Sequence, residues 1–316
     1  CTQNSSPTLE NLDIKNNYAS DHGAGIACDW GASPTIKNSN ISYNSGANNG
    51  GGIQISDFNN VILENVIINS NTAANGGGIQ CNSNGSFTAD NVTISNNNVS
   101  VNGGGMNLNY CSSASLINSI INDNSSQSGG GIWATESDIE IMISEISNNS
   151  SVSDGGGVFS INSDISISNS DINNNQSGHG AGLYFSGSNA TLSFVNIVSN
   201  STTYGSAGGF RVESLSNVFM YNCIIASNHS NTPQSGGLEI ALSNVEFTNG
   251  IIYGNTCLSN GPNPTSGGVG LWTDGVFTIT NSIVWNNYED EIVASGQFQI
   301  NSSYSNIEGG VEAIVP

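Results

Sequence analysis

Two residue signals recur along this chain at one interval, and any fold must place their copies in equivalent positions. The first is an apolar residue behind a glycine triplet, a glycine pair or Gly-Ala-Gly: Ile26, Ile53, Ile79, Met106, Ile132, Val158, Leu183, Phe210, Leu238 and Val269. The spacings are 27, 26, 27, 26, 26, 25, 27, 28 and 31 residues. The second reads aliphatic-x-x-Asn and ends at Asn17, Asn44, Asn71, Asn97, Asn124, Asn149, Asn175, Asn200, Asn228, Asn255 and Asn287. Self-similarity at this interval marks a solenoid, whose units cannot bury an apolar face alone and so stack on one another.

Between these signals apolar residues alternate, as in Ile53-x-Ile55 and Val61-x-Leu63. A period of two means strands with one buried face. A leucine-rich consensus is missing, and the interval is too short for propeller blades. The chain therefore reads as one all-β domain over 1–316. The expected fold is a right-handed parallel β-helix of about eleven coils of about 27 residues. Glycine at fixed phase suits a turn with positive φ or a close backbone approach. Each aliphatic-x-x-Asn residue is expected to sit in a turn that tolerates the left-handed region, its amide donating to one neighbour and accepting from the next. A third column falls six residues before it, at Asn11, Asn38, Asn65, Asn91, Asn118, Asn169, Asn222, Asn249 and Asn281, with Ile143 and Phe194 in two coils.

Charge narrows the function. The formal net charge is −21, and Lys15, Lys37 and Arg211 are the only Lys or Arg residues. A nucleic-acid partner requires clustered cations, which the chain lacks. No run of 18 apolar residues exists, so no segment reads as a membrane-spanning helix.

The GG-G-aliphatic and Ile-x-x-Asn pairing resembles the GGA[I/L/V] and FxxN motifs of the polymorphic outer membrane proteins. More broadly it is similar to pectate-lyase-like β-helix repeats of large secreted bacterial proteins. The stretches Asn281–Asn287 and Tyr304–Gly310 share that likeness. The resemblance implies a secreted or cell-surface protein, often an adhesin. It also implies that an enzyme of this fold would use a Lys or Arg base with calcium-binding carboxylates. With three bases, no Asp-Asp pair, and His22, His179 and His229 scattered, the residues argue against catalysis. A polysaccharide lyase or glycosidase stays as the alternative.

Function is expected where the repeat is broken. In the strand after the glycines the first and third residues point inward and the second outward. The outward column reads Trp133, Phe159, Tyr184, Arg211 and Glu239 in successive coils, an exposed strip suited to a glycan or a surface protein. Asp138 and Asp164 share a phase, as do Glu145 and Asp171, with Glu140 near the first pair. Calcium is the candidate cation there, weighed against a plain solvated acidic face and a protein that needs no cofactor. The run Glu289–Glu291 reads as a solvated turn. Cys1 and Cys28 lie one repeat apart and are the candidate disulfide, the other cysteines reading as buried thiols; a lipidated Cys1 is the competing expectation. Open ends without a cap suggest either a segment of a longer protein or subunits stacking end to end into a fibre.

Overall fold

The computed structural model describes residues 1–258 and 266–309 and the backbone of Ile314–Val315. Gly310 of the C-terminal motif lies outside the described residues. Two compact units are present, Cys1–Val152 and Ser153–Pro316. Each is a parallel β-solenoid whose coils contribute short strands to three parallel sheets. One coil of the first unit runs through Ile53–Ile55, Asn60–Glu64, Ile67–Asn69 and Thr72–Ala73 before the next glycine triplet.

Register confirms the stacking. In the first unit Ile53, Ile79 and Met106 pair in sequence across neighbouring strands, as do Ile41, Ile68, Ile94 and Ile121. In the second unit Leu183, Phe210, Leu238 and Val269 form one such column, and Ile172, Ile197, Ile225, Ile252 and Val284 another. All of these side chains are fully buried. Burying each contributes about 1.5–3 kcal/mol, so the apolar columns supply the main driving force.

The Asn column forms a continuous amide ladder within each unit. Nδ2 of Asn17, Asn44, Asn71, Asn97 and Asn124 donates to Oδ1 of the next Asn at 2.9–3.1 Å. The same Oδ1 accepts the backbone N–H of the preceding rung, as from Asn71 to Asn97 at 2.9 Å. A second Nδ2 proton reaches back to the carbonyl of the coil before, as from Asn97 to Ile68. Asn175, Asn200, Asn228, Asn255 and Asn287 repeat the pattern in the second unit at 2.9–3.0 Å. The last rung is capped by Glu291, which accepts the N–H of Asn287 at 3.1 Å and its Nδ2 at 2.5 Å. Glu291 is buried, which corrects the solvated-turn reading of Glu289–Glu291 at that residue.

Left-handed geometry falls elsewhere than expected. Positive φ belongs to the residue before each ladder Asn, such as Asn16, Tyr43, Ser70 and Asn96, and to the third column, including Ile143 and Phe194. The ladder residues were expected to be the tolerant ones. They instead keep φ negative and, from Asn44 to Asn287, are held by buried amides.

Each residue of a glycine triplet answers a different demand. Gly76 adopts φ +58, the region that favours glycine. A Cβ on Gly77 would meet the carbonyl of Gly104 at 2.6 Å. A Cβ on Gly78 would meet the carbonyl of Gly105 at 2.6 Å and Nδ2 of Asn97 at 3.2 Å. The glycine turn thus packs on the Asn ladder of the next coil, and the two sequence signals are halves of one contact.

The cysteines depart from expectation. Cys1 stacks against Cys28 in register, its N–H₃⁺ donating to the Ala27 carbonyl and its own carbonyl accepting from Asp29, yet both remain thiols. The disulfide joins Cys81 and Cys111, whose Cα atoms are 5.5 Å apart. Cys111 sits in the turn after Met106–Asn109, off the strand column, so periodicity could not pair it. Burial pushes the Cys28 thiol up to about 12.

Candidate functional site

The outward residue after each triplet does not reach solvent as expected. The turn carrying the first glycine folds back over it: a Cβ on Gly129 would lie 2.5 Å from Cβ of Trp133, one on Gly155 2.5 Å from Cβ of Phe159, and one on Gly180 2.7 Å from Cβ of Tyr184. Trp133 and Phe159 are half-buried, while Tyr184 and Glu239 are buried. The expected exposed strip is therefore a covered column. Alternation identifies which side of a strand a residue takes, and says nothing of the turn that covers that side.

In the second unit this column becomes a charged cluster. The Phe159 and Tyr184 rings lie 4.9 Å apart, and the Arg211 guanidinium sits 5.1 Å over the Tyr184 ring. Arg211 donates from Nε and Nη2 to Oε2 of Glu213 at 3.1 and 2.9 Å. Its Nε also pairs with Oε1 of Glu239 at 3.5 Å, and Nη1 donates to Ser206 Oγ at 3.2 Å. Tyr184 donates its hydroxyl to Glu213 at 2.6 Å, and Ser206 donates to Glu239 Oε1 at 3.0 Å. His179 joins through Nδ1, which faces Nη1 of Arg211 at 3.2 Å and the N–H of Ser206 at 3.4 Å. Two donors at Nδ1 assign the neutral imidazole with its proton on Nε2.

Electrostatics follow from that packing. Burial raises Glu239 above the usual carboxylate range, and Arg211 opposes the rise only in part. Burial likewise raises Asp154, which pairs in register with His179. Burial, then the Arg211 charge, lowers His179. Arg211 itself is held charged against burial by Glu239 foremost. Beside the cluster opens a cleft of ≈ 430 Å³ bounded by His179, Tyr204, Pro233, Gln234 and Trp272. The His179 and Tyr204 rings meet edge-on at 5.6 Å.

The other sequence candidates lie apart from this cleft. Asp138 and Glu140 are exposed, and Glu140 accepts from Ser115 Oγ at 3.0 Å. Glu145 is half-buried on its own strand. Asp164 and Asp171 are exposed and take amide protons from Asn189 at 3.0 Å and Asn196 at 2.7 Å. Among the described residues no three His, Cys, Asp or Glu side chains converge as a metal site. Lys15 pairs with Asp13, and Lys37 with Glu64 at 2.9 Å, at the surface.

The cleft is not legible in the repeat, because Tyr204, Pro233 and Trp272 occupy unrelated phases of it. The second unit also carries an exposed apolar column not among the sequence candidates: Ile224, Ile251 and Ile283 in register, with Tyr253 and Trp285 beside the last two. The signal was present, since each Ile is the residue before the inward aliphatic of the Asn motif.

The sequence model of the right handed beta helix region matches residues 2–118 and 77–238, and the chain belongs to that family. No curated protein and no solved structure matches the chain. Among the described residues no helix is long and apolar enough to cross a membrane.

Proposed function

We propose that the protein is a secreted or cell-surface structural β-helix with a recognition face on its second unit, acting by binding a glycan or surface protein rather than by turnover. The observation that carries this reading is the Arg211 cluster beside the cleft. There charged side chains are withdrawn from water next to aromatic rings, the composition of a contact site rather than of a solenoid repeat. Binding without turnover is supported by the bases: Lys15 and Lys37 lie in surface ion pairs, and Arg211 is clamped between Glu213 and Glu239. Export is supported by the Cys81–Cys111 disulfide, since such bonds persist in oxidising compartments.

The test is a printed glycan array probed with the purified chain, with and without EDTA, alongside electron microscopy and an assay for sugar release. Bound glycans, dispersed particles, insensitivity to EDTA and no release are expected. New reducing or unsaturated ends would make the protein an enzyme. Filaments would favour a fibre subunit, and an array with no bound glycan would leave the adhesive reading to a protein partner alone.

A further inference from the structure

Among the described residues, three buried polar atoms of the second unit have no hydrogen-bond partner: Oε2 of Glu239, Oγ of Ser235 and Nε1 of Trp272. They meet around one glycine. Gly270 stands beside Glu239 in the sheet, and a Cβ on it would lie 2.0 Å from Ser235 Oγ and 3.0 Å from Trp272 Nε1. The Trp272 indole N–H faces the Glu239 carboxyl and acts on it as a weak donor that favours its ionised form, without the geometry of a full hydrogen bond. Trp272 also lines the cleft, and Ser235 follows Gln234 on the cleft wall. Ser235 and Glu239 are 0% and 3% exposed, so bulk solvent does not serve them.

A fold gains nothing by leaving buried donors and acceptors unpaired, and native proteins seldom do so. In the first unit the unpaired atoms belong to the uncharged amides of Gln54, Asn59, Gln80 and Asn122. Gln54 and Gln80 are still anchored through their own Nε2, to Asn82 and Asn107. The second unit differs in gathering a carboxylate oxygen, a hydroxyl and an indole N–H at one point beside a cleft.

Their chemistry selects a ligand. The carboxylate oxygen accepts, the indole N–H donates, and the serine hydroxyl does either. One ligand hydroxyl matches all three, donating to Glu239 and accepting from Trp272 and Ser235. An ammonium group offers no acceptor to Trp272. An anion meets Glu239, Glu213 and Asp154 in a chain of net charge −21. We propose that this is a binding subsite for an uncharged polyhydroxylated ligand, a neutral saccharide. One of its hydroxyls would reach Glu239, Ser235 and Trp272, and its ring would lie in the cleft by Tyr204 and Pro233. This rests on the recognition reading above and names the ligand of the same face.

The test titrates the full chain calorimetrically with maltohexaose, cellohexaose and chitohexaose, with hexagalacturonate as anionic control. The variants are Trp272→Phe, which keeps the ring and removes the N–H, and Gly270→Ala, whose Cβ would press on Ser235 Oγ and force it from the meeting point. Trp285→Ala on the exposed apolar column is the control. Binding of a neutral hexasaccharide is expected, weakened at least about tenfold by Trp272→Phe and Gly270→Ala and unchanged by Trp285→Ala. Should Gly270→Ala fail to fold, Trp272→Phe decides alone. Preference for hexagalacturonate would overturn the neutral-ligand assignment. Binding lost in Trp285→Ala and kept in Trp272→Phe would overturn the subsite while leaving the recognition reading intact. No binding by any of the four sugars would overturn the inference, while the array still judges the broader reading.

Discussion

The two units share their ladders and differ in one column. Behind the glycine turn the first unit places Gln54, Gln80 and Asn107, buried amides that bond along the stack, followed by the half-buried Trp133. The second places Phe159, Tyr184, Arg211 and Glu239, and folds a charged network under the same turn. The apolar and Asn columns leave no room for such variation, since each residue is fixed by its copies above and below. The covered column tolerates it, because a turn only has to close over whatever stands there. Function in a solenoid is thus written where the repeat constrains the side of the strand but not the chemistry of the side chain.

The largest expected effect tests what the units share. Asn97→Ala and Asn228→Ala each orphan a backbone N–H, an amide and a carbonyl in the core, and should each cost about 4 kcal/mol. Hydrogen exchange of the flanking coils reads this locally, and unequal costs would break the equivalence of the ladders. The next effect tests where they differ. Arg211→Met leaves Glu239 buried without its cation and should cost about 3 kcal/mol, whereas Gln80→Met should cost only about 1 kcal/mol. Equal losses in urea melts would erase the distinction between the columns.

A smaller effect is carried by protons. Folding raises Glu239 above its ordinary value of 4.5, so the folded state holds the proton more tightly than the unfolded chain. That contribution is fully present below 4.5 and is lost as pH rises through the folded value. Relative to Glu239→Gln, wild-type stability should therefore fall with rising pH above 4.5. Parallel stability curves for the two proteins would show that Glu239 carries no such linkage.

Most of the fold was legible in the sequence because every copy of a column meets the same demand. Ile53, Ile79 and Met106 had to point inward together, and the eleven Asn residues had to stack. The candidate site was half legible. Tyr184, Arg211 and Glu239 stood out as departures in one column, but their burial depended on the turn above them. Tyr204, Ser235 and Trp272 share no phase with that column, so only three-dimensional packing brings them to it. The Cys81–Cys111 bridge was hidden for the same reason, since Cys111 lies in a turn.

The central claim is that the second unit keeps unpaired polar atoms that serve a ligand and not the fold. Thermal melting of Ser235→Ala in the absence of sugar tests it most directly. Ser235 Oγ is buried and makes no hydrogen bond among the described residues, so removing it should leave the melting temperature unchanged or raise it. A loss of about 1 kcal/mol or more would show that the hydroxyl belongs to the structure, and would contradict the claim.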